Sequence, residues 1–70
     1  MLRLTHERQK RGWTQTKLAH TSGTDQGLLS RIESSRFKPY RKQLNDLADA
    51  LDFPGDQAAS LLEHVESDEI

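Results

Sequence analysis

The chain has no cysteine among its 70 residues, which excludes a disulfide framework and any thiolate-held metal or redox centre. Aromatics are scarce, with one Trp, one Tyr and two Phe. No apolar run approaches the roughly 20 residues that span a bilayer, so no membrane association is expected. The opening residues Met1-Leu2-Arg3-Leu4-Thr5-His6 lack an apolar signal-peptide core. No nucleophile elbow or Gly-rich phosphate loop occurs, and His6, His20 and His64 have no metal-site spacing. Neither enzyme activity nor a cofactor is expected. Period-2 alternation is also missing, which argues against a sheet. What remains is a short chain, 33% apolar, near the lower size limit for independent folding, whose core must be small.

The net charge of −1 conceals a division. Every Lys and Arg lies at or before Lys42. Residues 1–42 carry ten basic and three acidic side chains, or +7, whereas residues 43–70 carry eight acidic side chains and no Lys or Arg, or −8. A basic surface for a polyanion, with an acidic end kept away from it, is one consequence of such a split. Two merely solvated halves remain open on charge alone.

Punctuation at Gly12, Gly23, Ser34-Ser35, Pro39 and Asp52-Phe53-Pro54-Gly55 leaves five helical segments. The first, about Arg3–Arg11, places Leu4, Arg8 and Arg11 on one face; with one aliphatic residue inward, Arg8 is the candidate to be buried beside it. The second, about Gln15–Ser22, follows an N-capping Thr14, with Trp13 and Leu18 spaced as a hydrophobic staple. The third, about Gln26–Glu33, follows Asp25, a second good N-cap. Leu29 and Ile32 form its buried stripe, and at about 100° per residue Gly27 and Arg31 point away, with Ser30 beside them and Gln26 at the leading end. Leu28 lies on the flank. The fourth, about Arg41–Leu51, has Leu44, Leu47, Ala48 and Leu51 on one face. The fifth, about Asp56–Val65, repeats that pattern with Ala58, Leu61, Leu62 and Val65.

The second and third segments are joined by Ser22-Gly23-Thr24-Asp25, a short Gly-containing turn between two short helices. That is the helix-turn-helix arrangement, in which the second helix enters the major groove of duplex DNA. Arg8, Gly12-Trp13-Thr14-Gln15, Leu18-Ala19, Ser22-Gly23, Leu29-Ser30-Arg31-Ile32-Glu33, Pro39, Leu44, Leu47-Ala48 and Ala50-Leu51 together resemble the Cro/phage-repressor type of helix-turn-helix domain, called XRE-like. The likeness covers about residues 3–62. It implies an all-α, lambda-repressor-like bundle of about five short helices, with helices 2 and 3 as the helix-turn-helix. It further implies a cytoplasmic, nucleoid-associated regulator that represses transcription as a homodimer on operator DNA.

Site residues follow from the same resemblance. Arg8 and Glu33 are expected to form a structural, partly buried ion pair. Gln26, Gly27, Ser30 and Arg31 are the expected base readers. Gln can bond bidentately to adenine and Arg to guanine. Thr14, Gln15 and Lys17 at the start of helix 2, and Arg36, Lys38, Arg41 and Lys42 around the next loop, are expected on phosphates. Two residues depart from the family pattern: Ser35 replaces a usual Gly, and Tyr40 replaces a small cap before helix 4. Phe53, Leu61, Leu62 and Val65 are the expected dimer contacts, or a docking face for a protein partner through helix 5. A protein-interaction module of the same fold, such as an antitoxin or adaptor, is the alternative function. The single domain is expected to cover residues 1–66, with residues 67–70 a frayed acidic tail.

Overall fold

The computed structural model describes residues 1–65. Its helices are α1 (Arg3–Lys10), α2 (Gln15–Ser22), α3 (Gln26–Glu33), α4 (Arg41–Ala50) and a closing 3-10 helix (Gly55–Leu62). The domain is an all-α bundle: among the described residues there is no strand, and Leu2 and His64 form one isolated antiparallel bridge. The α2 helix packs on α3 and α4, and the closing helix packs on α4 and α1. Leu4, Leu18, Leu29, Ile32, Leu47, Leu51 and Leu61 are fully enclosed. At about 1.5–3 kcal/mol for each large aliphatic side chain buried, these residues supply most of the driving force available to so short a chain. The expected stripes of α2, α3 and α4 are the buried ones.

The fifth segment departs from expectation. It is a 3-10 helix ending at Leu62, with a non-helical residue at Gln57 (φ −114°, ψ 15°). Ala58 and Leu61 are buried, one 3-10 turn apart and hence on one edge. Leu62 is half-buried beside them and Val65 lies beyond the helix. The reason lies at the other end of the chain. Leu2, the N-cap of α1, offers no side-chain acceptor, so the first N–H groups of that helix need partners from elsewhere. The Arg3 N–H donates to the Glu63 carbonyl at 2.7 Å, and the Val65 N–H donates to the Met1 carbonyl at 2.8 Å. The Glu63 carbonyl therefore caps α1, and the Val65–Met1 bond holds the extended strip at residues 63–65 beside it, an arrangement that an α-helix running to Val65 would preclude. The expected domain limit at residue 66 and the acidic tail at 67–70 lie outside the described residues.

Burial in α1 also differs from expectation. Glu7 is enclosed along with Leu4. Arg11 donates from Nη1 to Glu7 Oε1 at 2.7 Å and from Nη2 to the Leu51 carbonyl at 2.6 Å, tying α1 to the C-terminus of α4, where a cation is favourable. Burial pushes the Glu7 carboxyl up, but the Arg11 hydrogen bond and the nearby Lys10 outweigh it, and the carboxyl ends below the ordinary range. A carboxylate depressed in the folded state stabilises fully above its unfolded pKa, about 4.3, and loses that contribution as pH falls through the lower folded value. The stability advantage of the parent over Glu7→Gln, measured by urea unfolding, is therefore expected to shrink as pH falls from about 5 to about 3. An advantage constant over that range would show that the Glu7 charge contributes nothing.

Ser35 adopts φ 65°. The Arg36 N–H bonds back to the Arg31 carbonyl at 2.8 Å, which makes Ser35 the left-handed residue of a Schellman-type helix end, where glycine is favoured. The left-handed region costs an L-residue about 1–2 kcal/mol, partly offset by the roughly 0.5–1 kcal/mol of extra chain entropy a glycine loses. Ser35→Gly is expected to stabilise by about 0.5–1 kcal/mol, read as a Tm rise of several degrees. A fall in Tm would show that the Ser35 side chain contributes more than its backbone strain costs.

Candidate nucleic-acid interface

The turn between α2 and α3 is held by local chemistry. Gly23 takes φ 73°; the Thr24 N–H donates to the Ala19 carbonyl at 2.9 Å and the Gly23 N–H to the His20 carbonyl at 3.3 Å. This pair of bonds closes α2 at a residue that meets no Cβ penalty. Asp25 then starts α3, its Oδ2 accepting from the Leu28 N–H at 3.1 Å. Thr14 starts α2 in the same way, accepting from the Lys17 N–H at 3.1 Å. Leu29 and Ile32 anchor α3 in the core, Leu28 packs half-buried against it, and Gln26, Gly27, Ser30 and Arg31 all lie exposed. A Cβ on Gly27 would come within 3.0 Å of Asp25 Oδ2, so the bare position leaves the capping carboxylate room.

The base of α3 is fixed by an ion pair that joins three elements. Arg8 on α1 donates to Glu33 on α3 through Nε (2.8 Å to Oε2) and Nη2 (3.1 Å to Oε1), and through Nη1 to the Trp13 carbonyl at 2.7 Å. The side chains are 11% and 6% exposed. Gln15 on α2 donates from Nε2 to Glu33 Oε1 at 3.0 Å. One of the two amide donors of Gln15 is thus already used inside the protein, leaving one for a phosphate.

Ion pairing sorts the basic residues. Arg8 is taken by Glu33, Arg11 and Lys10 by Glu7, and Lys42 by Asp46 at 3.2 Å on the surface of α4. Lys17, Arg31, Arg36, Lys38 and Arg41, all exposed, and half-buried Arg3 form no ion pair among the described residues. Lys17 Nζ sits 5.5 Å from the centroid of the Trp13 ring, within cation–π range. The loop after α3 is pinned by half-buried Phe37 and buried Pro39. The Phe37 ring meets Tyr40 edge-on, with centroids 6.1 Å apart, and Arg36, Lys38 and Arg41 point outward. Tyr40 is itself 71% exposed. Its side chain makes no cap bond; instead Gln43 Oε1 accepts from the Tyr40 N–H at 2.8 Å. Asp46 and Asp49 line a groove with Thr21 and Ser22 near the C-terminal end of α2, away from its basic start.

A family model described as a helix-turn-helix domain matches residues 2–61. The chain belongs to the helix-turn-helix domain family. No curated protein and no solved structure matches it. The family points to a DNA-binding regulator with duplex DNA as its partner. No described helix is long and apolar enough to cross a membrane.

On the remaining face of this helix-turn-helix domain, the expected apolar contacts divide. Leu61 is 0% exposed and belongs to the core, so it is unavailable to a partner; the 3-10 turn that stacks it over Ala58 turns it inward. Phe53 and Leu62 are half-buried against the core, and Val65 lies in the strip that caps α1. The sequence expectations missed the Glu7–Arg11 pair, although an acid followed by Arg at i+4 was a visible signal. They also missed the side chains that the chain ends bring beside α3. An open groove of about 460 Å³ has Thr5, Gln15, Ser30, Ser34, Ser35 and His64 among its walls; no local spacing could bring residue 64 to residue 30.

Proposed function

We propose that this domain is a sequence-specific regulator of transcription, a repressor that binds a two-fold DNA operator as a homodimer. One observation carries the reading: the exposed face of α3 presents Gln26, Ser30 and Arg31, and the unpaired cations flank it on the start of α2 and on the loop after α3. Base-edge donors flanked by phosphate-seeking charge suit a helix lying in the major groove. The acidic groove at Asp46 and Asp49 repels the duplex from the opposite end of α2. The half-buried Phe53 and Leu62 are the apolar side chains that would meet the second copy, and half-sites would then lie about 10 base pairs apart or at multiples of that spacing.

Selection of bound sequences from a random duplex pool tests the reading. A palindromic consensus is expected. No enrichment of any sequence would overturn it and leave the protein-interaction role. Equilibrium sedimentation that finds one copy both alone and on the selected duplex would remove the homodimer.

A further inference from the structure

We infer that His64, on the strip paired with the start of α1, makes a further contact to the DNA backbone across the groove it shares with α3. The inference rests on the DNA-binding reading above. Backbone pairing fixes the placement: the Leu2–His64 bridge and the bonds from Arg3 to Glu63 and from Val65 to Met1 hold the last strip against the start of α1. That strip forms one wall of the open groove, and Gln15, Ser30 and Ser34 form another. His64 is exposed, as are Ser30 and Ser34.

The donor inventory of the groove suits a phosphodiester. Thr5, Ser30 and Ser35 each carry a hydroxyl, Gln15 keeps one amide N–H after bonding Glu33, and His64 brings a ring N–H. The Ser34 hydroxyl is turned to the Arg31 carbonyl. Among the described residues Glu33 is the one carboxylate on these walls, and both its oxygens already accept from Arg8 or Gln15. The charged groups on and beside this wall are Glu33 with its partner Arg8, the Met1 ammonium, Lys38 across the adjoining groove, and Arg3 and Glu63 where the strip pairs with α1. A wall of hydroxyl, amide and ring N–H donors with its acid already paired is favourable for a backbone phosphate, and Ser30 marks where it meets the base-reading face of α3.

The test uses the full chain and its selected duplex. In NMR titrations the ring signals of His64 are expected to move on duplex addition, whereas those of His20, exposed in the last turn of α2, stay in place. His64→Lys is expected to steepen the log–log dependence of affinity on salt by about 0.9, the increment of one more phosphate contact, and His20→Lys to leave the slope unchanged. Parent-like slopes in both variants, with unmoved His64 signals, would overturn the inference while leaving the selected consensus intact. Equal movement of His64 with inorganic phosphate alone at the same phosphate concentration would also overturn it, marking a general anion site. Failure to enrich any duplex would instead remove the DNA-binding reading on which it depends.

Discussion

Arg8→Ala is expected to destabilise the domain severely, costing about 3–5 kcal/mol. The substitution leaves the Glu33 carboxylate in a site where its side chain is only 6% exposed, with the Gln15 amide as its remaining partner. It also strips the Trp13 carbonyl of its donor from Nη1. A domain this small loses roughly 4–8 °C of Tm per kcal/mol, so the variant should melt well below the parent and fray first where α1, α2 and α3 meet. Glu33→Leu should behave similarly, because it leaves the guanidinium unpaired. The double variant Arg8→Met with Glu33→Leu separates charge from packing. Removing both ions removes both desolvation penalties, and such replacements are often neutral or stabilising by about 1–4 kcal/mol. The double variant should therefore be more stable than Arg8→Ala or Glu33→Leu alone, by thermal or urea unfolding. Losses that simply add would show that the site holds α3 by something other than its paired charges.

The ion pair also shows where local pattern gives out. The four α-helices could be placed from sequence to within a residue at each end, because each carries its own start signal, stop signal or apolar stripe. Thr14, Asp25 and Gly23 act where their chemistry demands, and the exposed face of α3 follows from a period of about 3.6 residues. What the pattern could not supply was anything set by distant partners. The spacing of Ala58, Leu61, Leu62 and Val65 fits an α-helix as well as anything in the chain, yet the backbone turns extended after Leu62, where α1, which lacks a side-chain N-cap, takes the Glu63 carbonyl as acceptor for its Arg3 N–H. The same pairing moves Val65 off the apolar stripe and brings His64 beside Ser30. The i, i+4 spacing offers Glu7 to Arg11, but nothing local shows that Arg11 also reaches the Leu51 carbonyl at the end of α4, over the buried Glu7. The interface was legible to the extent that it lies on one helix and one loop. Its shared groove was not, since that needs both chain ends.

Arg31→Ala and Lys38→Ala are expected to fail in different ways on DNA. Arg31 is exposed on the outer face of α3, and its own side chain enters no bond among the described residues; its carbonyl accepts from the Ser34 hydroxyl and the Arg36 N–H. The guanidinium is therefore free for bidentate readout of a guanine, worth about 1–3 kcal/mol of discrimination. Its loss should flatten the preference at one base pair of each half-site by about five- to 150-fold, with little change on duplexes already mismatched there. Lys38 extends from a loop pinned by Phe37 and Pro39, where a point charge meets phosphate without regard to sequence. Lys38→Ala should weaken binding to matched and mismatched duplexes alike and reduce the log–log salt slope by about 0.9. Affinities for a panel of single-base operator variants at several salt concentrations resolve the two effects. Because both side chains are exposed and unpaired, thermal unfolding should be unchanged in both variants, so a difference in binding reports on the interface itself. If both variants bound every duplex with the parent's affinity and salt slope, α3 and its following loop would not be the surface that meets DNA.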